Sequence, residues 1–173
     1  FIGICRSAIN HVDIESATKH NIAVVNSPAR NGRAVAEYVL SAMLNIARKT
    51  TAANNYVHSR MWKSPTEPYI EFRGSELKGK KMGLLGMGSI GQEIADLMHK
   101  LDMEILAYDP YLKEIPQNVR LTNIDELLTT SDFLATVAPL NHETMGFLDA
   151  KRLSQMKKGA ALITVSGISI ADQ

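Results

Sequence analysis

Apolar residues follow two rhythms along this 173-residue chain. Short compact runs at 1–5, 22–26, 81–85, 104–108, 133–137 and 160–165 read as buried strands. Between them apolar positions recur every three or four residues, which predicts helices over 13–20, 33–49, 89–100, 123–130 and 149–157. Asp13 suits the N-cap of the first helix, with Glu15 in its first turn. Asn21 suits a left-handed C-cap before the next strand, which Ser27-Pro28 breaks. In the long helix Val35, Ala36, Val39, Leu40, Met43, Leu44, Ile46 and Ala47 cover more than one stripe, so burial on two sides is expected. Residues 50–73 have no clear period and read as an irregular arm; the stretch 61–80, with Pro65, Pro68, Gly74 and Gly79, reads as a loop into a new unit. From residue 81 strands and helices alternate, which means a parallel sheet with right-handed crossovers. The expected class is α/β.

Composition narrows the function more than the fold. Hydrophobic residues make up 45% and charged residues 21%, an ordinary globular mixture that excludes a disordered chain. A chain of this size buries roughly 70% of its unfolded surface, enough for a core without disulfides. Nineteen Lys and Arg against eighteen Asp and Glu leave a net charge of +1, so no nucleic-acid or anionic-membrane partner is expected. The lone Cys5 excludes an internal disulfide and a cysteine metal cluster, which suggests a reducing, cytoplasmic setting. No apolar run approaches the ~20 residues of a membrane span, and no signal pattern opens the chain. Strand-like runs stand near both ends with nothing to cover them, so the sequence reads as a piece of something larger.

The sharpest motif is Gly86-Met87-Gly88-Ser89-Ile90-Gly91. It follows an apolar strand and opens a helix, the context that turns a weak glycine pattern into a dinucleotide-binding turn. Gly86 permits the tight turn, Gly88 lets a pyrophosphate approach the backbone, and Gly91 allows close helix–strand packing. The helix N-terminus then holds the diphosphate. Eighteen residues past Gly91, Asp109 ends the next strand, placed to accept hydrogen bonds from ribose hydroxyls and to repel a 2′-phosphate. The cofactor expected is NAD rather than NADP.

These residues also carry a resemblance. Asn10-His11-Val12-Asp13, Val25-Asn26-Ser27-Pro28, Glu76-Leu77-Lys78-Gly79-Lys80, the glycine turn, Tyr108-Asp109-Pro110-Tyr111, Ser131-Asp132-Phe133, Pro139-Leu140, Glu143-Thr144 and Met156-Lys157-Lys158-Gly159 occur in family order. The chain resembles the D-isomer-specific 2-hydroxyacid dehydrogenases, which include phosphoglycerate dehydrogenase. The resemblance implies a Rossmann-type NAD-binding domain over 27–173, incomplete at its C-terminus. It implies that 1–26 is the remnant of a flavodoxin-like substrate domain, and that a homodimer forms through the nucleotide-binding domains. The widely spread apolar positions of the long helix, with Tyr56, Met61, Trp62, Tyr69 and Phe72 of the arm, put that contact at 33–73. Together, motif and resemblance predict a cofactor site of Gly86, Met87, Gly88, Ser89, Ile90, Gly91, Asp109, Pro110, Val137, Ala138, Pro139 and Thr144. In such proteins the turn at Arg6-Ser7-Ala8 presents backbone N–H groups to the carboxylate of a small 2-hydroxy or 2-keto acid; a plain solvated turn is the equal alternative.

The same comparison exposes departures. Aligned without gaps from Gly159 to Asp172, the family's substrate-binding Arg falls on Gly167, which has no side chain to clamp a carboxylate. The family's catalytic Glu and His fall beyond Gln173, and Val137 replaces a His that often precedes the Pro-Leu pair. No catalytic residue is therefore assigned. His11, His20, His58, His99 and His142 are scattered without metal or triad spacing and read as surface or capping residues, His142 being the least bland. Arg30 and Arg33 near the start of the long helix read as capping residues rather than an anion site. Three readings follow: an NAD-dependent 2-hydroxyacid oxidoreductase, a non-catalytic NAD(H)-binding or corepressor-like relative, and a truncated inactive homologue.

Overall fold

The computed structural model describes residues 1–171. Asp172, the far anchor of the alignment through Gly167, lies outside the described residues. The chain divides into two compact units, Phe1–Gly32 and Arg33–Gln173.

The first unit is a small parallel β–α–β turn. β1 (Ile2–Ile4) pairs with β2 (Val24–Asn26), Ile2 opposite Val24, through α1 (Ile14–Lys19). The Asp13 carboxylate caps α1 by accepting from the Ser16 amide at 2.9 Å, and Asn21 takes the left-handed conformation (φ 53°) that turns the chain into β2. Ile4 and Ala17 are buried, while Val25 is exposed.

Three helices come next, α2 (Gly32–Arg48), whose residues from Arg33 on belong to the second unit, α3 (Thr50–His58) and α4 (Thr66–Glu71). The alternating segment follows: β3 (Lys81–Leu85), α5 (Ser89–His99), β4 (Glu104–Tyr108), β5 (Arg120–Leu121), α6 (Ile124–Thr130), β6 (Phe133–Thr136), α7 (Ala150–Ser154) and β7 (Ala161–Thr164), then a 3-10 turn at Ile168–Ile170. The five strands are parallel in the order β5-β4-β3-β6-β7. The first strand of the sheet is therefore central, and the connections run outward in opposite directions on its two sides. That reversal opens a crevice beyond the carboxyl ends of β3 and β6, where doubly wound sheets bind ligands. Both faces of the sheet are covered, which is why its strands are nearly continuous apolar runs. Ala36, Val39 and Met43 of α2 and Ile94 and Met98 of α5 pack with Met82 and Leu84 in one core. Leu127 and Leu128 of α6 pack with Leu85, Leu106 and Leu134 in the other.

Two expectations need correction. The stretch 50–73 is not an irregular arm: it holds α3 and α4. The Asn45 side chain caps α3, its Oδ1 accepting from the Thr51 amide at 2.9 Å and from the Thr50 and Thr51 hydroxyls. Tyr56 packs edge-on against Phe72, with ring centroids 5.2 Å apart. Such helices rest on tertiary contacts and side-chain caps, so they carry no apolar period to read. Nor is α2 buried on two sides within this chain. One stripe, Ala36, Val39, Met43 and Ala47, is buried, whereas Tyr38, Leu44 and Ile46 are exposed. β5 escaped the sequence reading because two residues carry no period.

Candidate dinucleotide-binding cleft

The glycine turn is shaped by what surrounds it. Gly86 has φ +103°, its amide donates to the Tyr108 carbonyl at 2.9 Å, and a Cβ there would lie 2.6 Å from the Ala138 nitrogen. A Cβ on Gly91 would lie 2.7 Å from the Gly86 carbonyl oxygen, so helix and turn meet backbone to backbone. Gly88 differs. It occupies the N-cap of α5, its φ is an ordinary −67°, and a Cβ would meet nothing within 4 Å. Folding alone does not demand a glycine there; the open space it faces is where a ligand would need one. The first intrahelical bond runs from the Gln92 amide to the Gly88 carbonyl at 3.0 Å. The N–H groups of Ser89, Ile90 and Gly91 therefore have no acceptor inside the helix, and the positive end of α5 faces outward.

Asp109 stands at the end of β4 and is half-buried. Its Oδ2 accepts from the Met87 amide at 2.8 Å and its Oδ1 from the Tyr111 amide at 2.9 Å. Each oxygen keeps a lone pair for a ligand hydroxyl. The opposite wall follows β6. The Val137 and Ala138 amides both donate to the Leu85 carbonyl at 2.9 Å, which draws Pro139 and the next turn over the glycines. In that turn the Asn141 Oδ1 accepts from the Glu143 amide (2.9 Å) and the Thr144 amide (3.0 Å), while the Thr144 hydroxyl donates to the Pro139 carbonyl at 2.7 Å.

These walls enclose a cleft of about 480 Å³. Of the predicted cofactor residues, Gly86, Gly88, Asp109, Pro110, Val137, Ala138, Pro139 and Thr144 line it. Met87, Ile90 and Gly91 support it from behind: the Met87 and Ile90 side chains pack into the core, and Gly91 is buried. The predicted site did not include Leu85, Tyr108, Tyr111, Asn141, Glu143 and Phe147, which also line it. Phe147 stacks on Tyr108 with centroids 6.1 Å apart, and the Arg152 guanidinium covers its ring at 4.1 Å. The Tyr111 hydroxyl donates to Glu143 Oε2 at 2.6 Å, joining the two walls. That bond, then the charge of Glu143, raises the Tyr111 pKa above the ordinary phenol value. The sequence signals for Tyr111 and Glu143 were the family-order runs that hold them, Tyr108-Asp109-Pro110-Tyr111 and Glu143-Thr144.

The predicted substrate residues lie in the first unit, where Arg6, Ser7 and Ala8 are exposed and the Ser7 carbonyl accepts from the Asn26 side chain at 2.9 Å. Gly167 is exposed in the second unit, and a Cβ there would press on the end of the Leu140 side chain. All five histidines are exposed; His20 Nδ1 lies 2.8 Å from the Ser16 carbonyl oxygen. No group of three His, Cys, Asp or Glu with metal-site geometry occurs among the described residues. No helix among them is long and apolar enough to cross a membrane.

Comparison with known proteins places this geometry. The chain is 34% identical over 175 residues to D-3-phosphoglycerate dehydrogenase of Archaeoglobus fulgidus, covering 99% of this chain and 32% of that protein. It is 35% identical over 167 residues to glyoxylate reductase of Thermofilum pendens, covering 94% and 49%. Among solved structures, D-lactate dehydrogenase of Aquifex aeolicus in complex with NAD and lactic acid superposes with a TM-score of 0.87 at 26% identity, covering 99% of this chain and 51% of that one. The chain thus spans about a third to a half of the length of these relatives. The sequence profile of the D-isomer-specific 2-hydroxyacid dehydrogenase NAD-binding domain matches residues 40–173. With the Rossmann strand order and the glycine turn at its switch point, the chain belongs to the D-isomer-specific 2-hydroxyacid dehydrogenase family and carries its NAD-binding domain.

Proposed function

We propose that the cleft binds NAD(H) for hydride transfer to or from a small 2-hydroxy or 2-keto acid. The observation that carries this reading is the open position at Gly88, facing free N–H groups at the start of α5, with the Asp109 carboxylate at the neighbouring strand end. A pyrophosphate fits the first and ribose hydroxyls fit the second. Ser89 and Ile90 contribute amides; Pro110, Val137, Ala138, Pro139 and Thr144 form apolar and polar walls for the remainder of the dinucleotide. When bound, NAD(H) supplies the hydride acceptor or donor. The chain's own residues hold it, orient it and exclude water.

On this reading residues 1–26 are the remnant of a substrate domain, and the turn Arg6-Ser7-Ala8 offers N–H groups and a cation to the substrate carboxylate. The exposed apolar residues of α2 and of the segment carrying Met61, Trp62 and Tyr69 form the contact of a homodimer through 33–73. Gly167, with no side chain at the position of the family's arginine, favours a second reading, a relative that binds NAD(H) without turnover. The test is a calorimetric titration of the chain with NADH, followed by an NADH-oxidation assay with a panel of 2-keto acids. Binding is expected. Its absence would reject both readings, while turnover would reject the second.

A further inference from the structure

Charge is distributed unevenly in the cleft. At the glycine turn the cleft meets the positive N-terminus of α5. Its lining also carries two carboxylates, Asp109 after β4 and Glu143 after β6, and includes no Lys, Arg or His. The two acids belong to one chain of hydrogen bonds. Asp109 holds the Tyr111 amide, the Tyr111 hydroxyl holds Glu143, and the Glu143 amide is fixed on Asn141. An exposed glutamate would ordinarily sweep through many rotamers; here one oxygen is fixed on the opposite wall.

Resting on the NAD(H) reading above, we propose that Glu143 is a second specificity determinant, positioned by Tyr111, that rejects a dinucleotide carrying an additional phosphate at its ribose end. A neutral, hydroxyl-rich ribose suits a mouth flanked by two anions. A phosphate dianion there meets both charges with no cation among the lining residues, and rejection of this kind works by repulsion rather than by added contact.

The test is the ratio of dissociation constants for NADPH and NADH, measured by nucleotide fluorescence on the 173-residue chain. Glu143→Gln keeps an acceptor for the Tyr111 hydroxyl and removes the charge. It is expected to lower the ratio about two- to fivefold, chiefly through tighter NADPH binding, the range of an exposed charge interaction. Tyr111→Phe keeps the charge but frees it, so a smaller fall is expected. Both falls should shrink in 1 M salt, where the Debye length is about 3 Å, a response that a purely structural change would not give. A ratio unmoved by Glu143→Gln but lowered by Asp109→Asn would overturn the role of Glu143 and leave the cleft assignment intact. A wild-type chain that binds neither nucleotide would overturn both.

Discussion

The carboxylate of Asp109 accepts a hydrogen bond from the backbone amide of Met87, at 2.8 Å and across 22 positions of sequence. The residue expected to read the ribose therefore also holds the second residue of the glycine turn. Asp109→Ala would remove a turn support and a ligand group together. Asp109→Asn separates them, because its amide oxygen still serves one of the two backbone donors. Asn is expected to keep the melting temperature within a few degrees of wild type and to narrow the preference for NADH over NADPH. Ala is expected to lower thermal stability and affinity for both nucleotides. Calorimetry with scanning fluorimetry on the two variants checks this.

Gly88 and Gly91 should respond in opposite ways. Gly91→Ala sets a Cβ 2.7 Å from a carbonyl oxygen of the turn, and overpacking of this kind costs about 1–3 kcal/mol. Gly88→Ala meets no protein atom and should leave denaturant unfolding nearly unchanged. Its methyl group would project where the pyrophosphate is proposed to lie, so NADH affinity should fall tenfold or more, equivalent to about 1.4 kcal/mol. A Gly88→Ala chain with undiminished NADH binding would count against the pyrophosphate assignment.

Acid should weaken the second unit through Glu126. Hydrogen bonds from Arg120 and then Thr122 lower its pKa from 4.5 to about 2. A depressed folded-state pKa stabilises the fold above the unfolded value, and that contribution is lost as pH falls through 4.5 towards 2. Glu126→Gln should therefore lower the melting temperature at pH 7, where the Arg120 and Thr122 hydrogen bonds favour the charged carboxylate, and flatten its decline over that window so that variant and wild type converge near pH 2. Asp132 adds to the same acid limb: burial opposes its ionisation, but the Lys157 ammonium and the Lys81 amide, each at 2.8 Å, outweigh burial and lower its pKa.

Light scattering at micromolar concentration should report a dimer. Tyr38 and Leu44 are exposed on α2, so Tyr38→Asp with Leu44→Asp should yield a folded monomer by circular dichroism. A monomeric wild type would reject the proposed interface.

In the keto-acid assay, the second reading predicts no turnover by the 173-residue chain, because Gly167 offers no cation to a developing alkoxide. Losing one such group typically costs about 10²–10³ in rate. Gly167→Arg should fold, since the atom it displaces is the flexible end of Leu140. Turnover by the unmodified chain would discard the gap-free alignment over Gly167.

Much of this protein was legible locally. The bounds of β3 and β4 coincide with the apolar runs at 81–85 and 104–108, because strands buried on both faces must be apolar throughout. Asp13, Asn123 and Asp149 cap helices as short polar side chains do wherever they precede an apolar period. The glycine spacing and the acid eighteen residues on marked the dinucleotide turn, since a backbone that must approach a phosphate tolerates few alternatives. The tertiary structure decided the rest: that Asp109 shares its oxygens with Met87 and Tyr111, that Tyr111 reaches Glu143 from the other wall, and that α3 and α4 form where no period announces them. A one-dimensional pattern records which residues are buried and at what period. The contacts that close the cleft join residues 32 positions apart, brought together only because β4 and β6 flank the same central strand.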